Sequence, residues 1–143
     1  MRKKLRNLYL ALLAPAVLGF AIISVVRVFA EMHVGEIASS RPVAAVLFVS
    51  AFAFGVALPI LYRTVFVNGT RGKKELTEEE LLKFETGTLR IALVAPYVSL
   101  AAYLLEIPRA HFFGTVIAAL YAGYYFYPSE KRDLFERKVF RVR

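Results

Sequence analysis

The sequence predicts an all-α fold that crosses a membrane four times, as two helical hairpins. Hydrophobic residues make up 58% of the 143-residue chain and the mean hydropathy is +0.54, whereas soluble domains contain about 45–50% apolar residues. The stretch from Val43 to Tyr62 carries no charge over twenty residues. At about 1.5 Å per residue it matches the roughly 30 Å hydrocarbon core of a bilayer. The basic residues gather beside such stretches, which is typical of membrane proteins.

The first predicted span covers about residues 8–29 and follows four basic residues at the N-terminus. Its apolar run, Leu8 to Val26, has nineteen residues, more than the roughly 7–15 of a signal-peptide core. Arg27 also lies beside the small-residue stretch that resembles a cleavage site. We therefore expect an uncleaved helix.

The second predicted span covers about residues 43–66. Pro42 precedes it, at a position where proline costs no helical hydrogen bond. Pro59 lies near its far end, where we expect a kink or a stop.

A polar segment, residues 68–87, separates the two predicted hairpins. Within it Thr77 and Glu80 have the spacing of a capping box, which predicts the start of an amphipathic helix. We expect this helix to lie along the cytoplasmic surface of the membrane and to bend at Gly87 where it meets the third span.

The third and fourth predicted spans cover about residues 88–106 and 111–127. The third apolar run has fifteen residues, so it spans only if Arg90 reaches to the headgroups. The fourth ends in a tyrosine cluster of the kind found at membrane interfaces. Residues 128–143 form a predicted cytoplasmic tail, in which Ser129 caps an amphipathic helix.

The distribution of basic residues predicts the orientation. Sixteen Lys and Arg residues lie before the first span, between the second and third, or after the fourth, and three lie on the other side. The positive-inside rule then places both termini in the cytoplasm. We expect an integral protein of the cell (inner) membrane whose basic residues face lipid headgroups, and no nucleic-acid partner.

Two segments indicate a parallel internal repeat. Leu10–Ile22 aligns with Ile91–Tyr103 with six identities in thirteen positions, including the prolines Pro15 and Pro96. Both prolines are predicted helix kinks, because each removes a hydrogen bond to the carbonyl four residues earlier. Curvature is the favoured interpretation, and a hinge or a ligand site is the alternative.

The spans carry small residues at four-residue spacing, which let membrane helices approach closely. These faces either build the bundle, as we favour, or dock a partner's helix. They comprise Ala51 and Gly55 in the second span, Ala95 and Ser99 in the third, and Gly114, Ala118 and Ala122 in the fourth.

A polar cluster is predicted at the outer face. Arg27 could pair with Glu31, and Glu106 with Arg109, to fix helix depth. A metal, haem or quinone site is the alternative. The six residues of the cluster are Arg27, Glu31, His33, Glu106, Arg109 and His111.

The sequence predicts no enzyme and no cofactor. Cysteine is absent, which excludes disulfides and thiolate metal sites. No Asp, Glu, Lys, Arg or His lies near the middle of a predicted span, and no catalytic motif is present. We expect a small, non-catalytic integral subunit or assembly protein that associates with other membrane subunits or with itself. An oligomeric channel or transporter for an uncharged or lipidic solute is the alternative, and a haem- or quinone-binding redox helper is the third hypothesis.

Overall fold

The computed structural model describes residues 1–30, 41–73 and 75–142, and every regular element in these ranges is helical, which confirms the all-α prediction. The elements in chain order are α1 (Arg2–Ala30), α2 (Arg41–Phe52), a π-helical turn (Ala53–Ala57), α3 (Leu58–Gly69), α4 (Glu78–Ala92), α5 (Val94–Leu104), α6 (Arg109–Tyr125) and α7 (Glu130–Val139).

Three helices in the described ranges are long and apolar enough to cross a membrane. They are Arg2–Phe29, Arg41–Gly69, which joins α2 to α3, and Glu78–Leu104, which joins α4 to α5. The fourth predicted span corresponds to α6, which has 17 residues. Such a helix is about 25 Å long, somewhat less than the hydrocarbon core of a typical bilayer.

Prolines mark two of the irregularities in the long helices. The π-helical turn ends just before Pro59, which cannot donate a hydrogen bond to the carbonyl of Gly55 within the turn. The chain leaves helical geometry for one residue at Leu93, three residues before Pro96. By contrast, α1 is helical on both sides of Pro15.

The bend expected at Gly87 is not observed, because α4 continues through this residue to Ala92. Gly87 instead lies against α3. A Cβ atom there would be 2.5 Å from the hydroxyl of Tyr62, so glycine permits the two helices to pack closely.

The predicted capping box is present at the start of α4. The Thr77 hydroxyl accepts a hydrogen bond from the Glu80 amide (3.3 Å), and the Glu80 carboxylate accepts one from the Thr77 amide (3.2 Å). However, α4 is more than a surface helix, because it runs on towards α5 and buries Leu81, Phe84 and Leu89. Its apolar side packs against α3 and α1.

Helices α2, α5 and α6 pack against one another, α3 packs against α4, and α1 lies along α4 and α5. Small side chains fill the contacts between them. All seven residues assigned to helix-packing faces are buried: Ala51, Gly55, Ala95, Ser99, Gly114, Ala118 and Ala122. In contrast, 11% of the apolar stretch of α1 is buried, so most of this helix faces outwards.

Gly55 provides a test of this close packing. A Cβ atom at Gly55 would be 3.1 Å from the backbone oxygen of Ala118 and 3.4 Å from the Cβ atom of Ala95. Gly55→Leu is expected to lower the free energy of unfolding by about 1–3 kcal/mol, as overpacking does. Thermal unfolding followed by circular dichroism in detergent measures the effect.

The matched control is Gly69→Leu at the end of α3, where an added Cβ atom meets no atom within 4 Å. It should leave the midpoint nearly unchanged. Equal midpoints for the two variants would show that the Gly55 contact does not limit stability.

Candidate functional site

We call the end of the bundle that carries Met1, the turn at 70–73 and α7 the basic end. An ion pair joins α3 to α7 at this end. Arg63 donates to both carboxylate oxygens of Glu136, Nη1 to Oε1 at 2.6 Å and Nη2 to Oε2 at 3.2 Å. Glu136 is 3% exposed. Two parallel hydrogen bonds to a buried carboxylate fix both the position and the rotation of α7.

A second charged pair lies beside the first. The Nε atom of Arg132 on α7 is 3.8 Å from Oε1 of Glu85 on α4. Arg132 Nη1 also donates to the Tyr125 carbonyl at 3.0 Å, and its guanidinium lies 5.0 Å from the ring centroid of Phe126. Glu85 is 4% exposed, and its Oε1 accepts no hydrogen bond from the part of the chain that the structure describes.

Further contacts hold the C-terminal half of α7. Arg137 donates to Glu78 at 2.7 Å, and this hydrogen bond raises the pKa of the Arg137 guanidinium above its usual value. Phe140 packs edge-on against Phe66 and Phe84, with ring centroids 5.5 and 5.8 Å away. The tail is therefore a fixed part of the bundle.

The opposite face of α7 is largely exposed, and its Lys131 and Phe135 border a cavity beside α3. Leu134, Phe135 and Val139 are 59%, 58% and 48% exposed. Lys131 and Lys138 lie on the same face and are also exposed. The structure thus holds an apolar and basic surface in one orientation at the basic end. We call these five residues the α7 outer face.

The far end of the bundle has a different charged cluster, centred on Arg27. Its Nη2 donates to the carbonyls of Tyr103 (2.6 Å) and Leu104 (3.2 Å) and is 3.2 Å from a carboxylate oxygen of Glu106. The guanidinium also lies 4.3 Å from the centroid of the Tyr103 ring. Arg27 therefore ties the end of α1 to the turn after α5.

This cluster differs from the predicted pairing. Of the six residues, the structure joins Arg27 to Glu106, which takes a left-handed backbone conformation (φ 53°) at the turn. Arg109 starts α6, and the half-buried His111 ring meets Phe48 edge-on at 5.9 Å. Glu31 and His33 lie outside the described residues, as does the predicted Arg27–Glu31 pair. Residues 1–30, 41–73 and 75–142 contain no group of three His, Asp or Glu side chains that could hold a metal ion.

The buried pairs at the basic end were not predicted, because Glu85 falls in the predicted surface segment, residues 68–87, and Glu136 in the predicted tail, residues 128–143. A signal for each was present in the sequence. Glu85 falls between Leu81 and Leu89 at four-residue spacing, and Glu136 precedes Phe140 by four residues. A carboxylate within an apolar helical stripe predicts a buried ion pair.

The chain matches no protein-family model, and no significant similarity to a curated protein or to a solved structure was found.

Glu136→Ala tests whether the Arg63–Glu136 pair holds α7. Glu136 is buried and Arg63 is 36% exposed, so the cost should lie between the limits for surface and buried pairs, at about 2 kcal/mol. Amide hydrogen exchange across 130–139 should accelerate, while exchange in α5 should stay slow. Mass spectrometry of peptic fragments measures both regions in one sample.

The double variant Arg63→Met/Glu136→Leu replaces the pair by apolar side chains and should recover most of the protection. Glu130→Ala, at an exposed residue of the same helix, is the control for a lost carboxylate. Unchanged exchange in Glu136→Ala would mean that the apolar contacts alone position α7.

Proposed function

We propose that the chain is an integral membrane protein with four membrane-crossing helices and with both termini in the cytoplasm. The fourth crossing is α6, whose shorter length is compensated by the tyrosines at its end and by its packing against α2 and α5. The excess of basic residues at the end that carries both termini supports the orientation in the cell membrane.

The absence of cysteine makes this topology directly testable, because each introduced cysteine is a unique label. A membrane-impermeant maleimide applied to intact cells should label Ala110→Cys. Lys3→Cys, Arg71→Cys and Lys138→Cys should react only after permeabilisation. All four positions are exposed in the structure.

The labelling of Lys138→Cys distinguishes a chain that crosses the membrane four times from one that crosses it three times. If α6 does not cross, the tail emerges on the outer side and Lys138→Cys becomes labelled in intact cells while Lys3→Cys stays protected. Labelling of Lys3→Cys in intact cells would instead reverse the orientation.

Within this topology we propose a non-catalytic role, as a small subunit or assembly protein of a larger membrane complex. The observation that carries the proposal is the α7 outer face, which exposes apolar side chains on a helix fixed to the bundle. A preorganised surface loses little conformational entropy on binding. Apolar residues among lysines favour a partner surface with an apolar centre and acidic surroundings.

The double variant Leu134→Gln/Phe135→Gln tests this role. Native mass spectrometry after gentle extraction from the native membrane should show the wild-type chain with other polypeptides in fixed ratio. The variant should retain at least about tenfold less partner, because each lost apolar anchor is worth about 1 kcal/mol or more. The circular dichroism spectrum should not change, since both side chains are more than half exposed.

Val67→Gln, a 40% exposed apolar residue on α3, is the control for loss of an apolar group at another surface. If the double variant retained as much partner as the wild-type chain does, the docking surface would lie elsewhere. A wild-type chain that is extracted alone or as a homo-oligomer would contradict the subunit role.

A further inference from the structure

A groove runs between α1 and α6, because α1 packs against α4 and α5 and stands off from α6. It consists of two adjoining cavities of about 640 and 400 Å³. The two cavities share four apolar lining residues, Leu13, Val17, Ala119 and Leu120. They therefore form one continuous groove that is open along its side.

The length of the groove matches the depth of one bilayer leaflet. On α6 it extends from Phe112 to Tyr125, which corresponds to about 20 Å of helix. One leaflet with its headgroup region is about 20–22 Å deep, half of the roughly 40–45 Å of the whole bilayer. The half of the groove away from the basic end is apolar apart from the hydroxyl of Ser99. These are the dimensions and the polarity that a lipid acyl chain requires.

The basic end of the groove is polar and cationic. Arg132, Ser129 and Tyr127 line it, and Arg132 is 15% exposed. Within the described residues, its Nη2 atom makes no hydrogen bond, since Nη1 donates to Tyr125 and Nε faces Glu85. The Ser129 hydroxyl oxygen accepts a hydrogen bond from the Arg132 backbone amide. The hydroxyl proton is therefore available for a hydrogen bond to a ligand. An arginine with a free donor beside a hydroxyl suits a phosphate oxygen.

Tyr9 limits the groove at this end. Its hydroxyl donates to the Gly123 carbonyl at 2.8 Å, and its ring meets Tyr127 edge-on at 5.3 Å. Beside Val17 and Leu120, which are 57% and 67% exposed, the groove is open to the surroundings of the bundle. An acyl chain can enter from the bilayer while its headgroup stays at the basic end.

We propose that this groove binds one phospholipid from the leaflet at the basic end. One acyl chain lies along Leu13, Val17, Ala119 and Leu120, and the phosphate contacts Arg132 and Ser129. The phospholipid completes the contact between α1 and the rest of the bundle. This proposal depends on membrane insertion and is independent of the partner subunit proposed above.

The test measures the phospholipid retained by purified protein. The full chain is delipidated in detergent and titrated with phosphatidylglycerol, and native mass spectrometry counts the bound lipid molecules. We expect one tightly bound molecule per chain. Dioleoylglycerol, which has acyl chains but no phosphate, should bind at least about tenfold more weakly, because it lacks the charge-assisted hydrogen bonds.

Two groove-filling variants test the position of the acyl chain. Ala119→Phe fills the groove from α6 and Val17→Phe fills it from α1. Each should weaken phosphatidylglycerol binding by about tenfold, since the ring occupies the space of the chain. The matched controls are Ala11→Phe and Val25→Phe at exposed positions of α1. Ala11 is two residues from both Tyr9 and Leu13, about 200° around the helix, so it lies on the side of α1 away from the groove. Both control variants should bind phosphatidylglycerol as the wild type does.

Three results would overturn the proposal. Equal phosphatidylglycerol binding in all four variants would show that the retained lipid coats the protein surface and does not occupy a specific site in the groove. Equal binding of dioleoylglycerol and phosphatidylglycerol would show that the proposed phosphate contact does not contribute to binding. A polypeptide that co-purifies with the wild type and is lost in both groove variants, with no lipid retained, would make the groove a site for a partner's helix.

Discussion

The contact between α2, α5 and α6 is the interaction on which the rest of the structure depends. In a bilayer the lipid is as apolar as the side chains, so helices associate through close packing and not through the hydrophobic effect. Here Gly55, in the π-helical turn that continues α2, lies against the backbone of Ala118, and the Ser99 hydroxyl lies 3.4 Å from the Thr115 hydroxyl. Residues of this size allow α2, α5 and α6 to approach within backbone contact. Helix α1 packs against this unit through α5, whereas α3 packs against α4 and α7 is joined to both α3 and α4.

Charged groups attach α1, α3 and α7, and they do so at the two ends of the bundle. Arg27 connects α1 to the turn at Glu106, and Arg63 connects α3 to α7 through Glu136. Partial burial makes such pairs stronger than surface pairs, yet their guanidinium groups stay near polar surroundings, where desolvation costs less. The bundle is thus held by packing in its middle and by ion pairs at its ends. This division leaves α7 rigid enough to present an apolar surface.

Local signals in the sequence predicted the local structure. The capping box at Thr77 and the cap at Ser129 are both present, because each needs only residues within one helical turn. Hydropathy predicted the long helices because the length of an apolar run directly reflects bilayer thickness. The burial of α4 was not predicted, since an amphipathic helix has the same pattern whether its apolar side meets lipid or protein. The ion pairs were not predicted for a related reason. Arg63 and Glu136 are 73 residues apart in the sequence, whereas spacing rules for helical pairs cover residues about three or four positions apart.

The π-helical turn has a consequence for how α2 and α3 can vary. A π turn holds one more residue than an α turn, so it accommodates one extra residue while α2 and α3 keep their rotational phase. Deleting one residue between Ala53 and Ala57 would convert the turn to ordinary helix and would leave Arg63 on the side of α3 that meets Glu136. A one-residue deletion that the turn did not absorb would rotate one helix against the other by about 100° and would separate Arg63 from Glu136. The turn is therefore the part of this long helix where the loss of one residue disturbs the packing least.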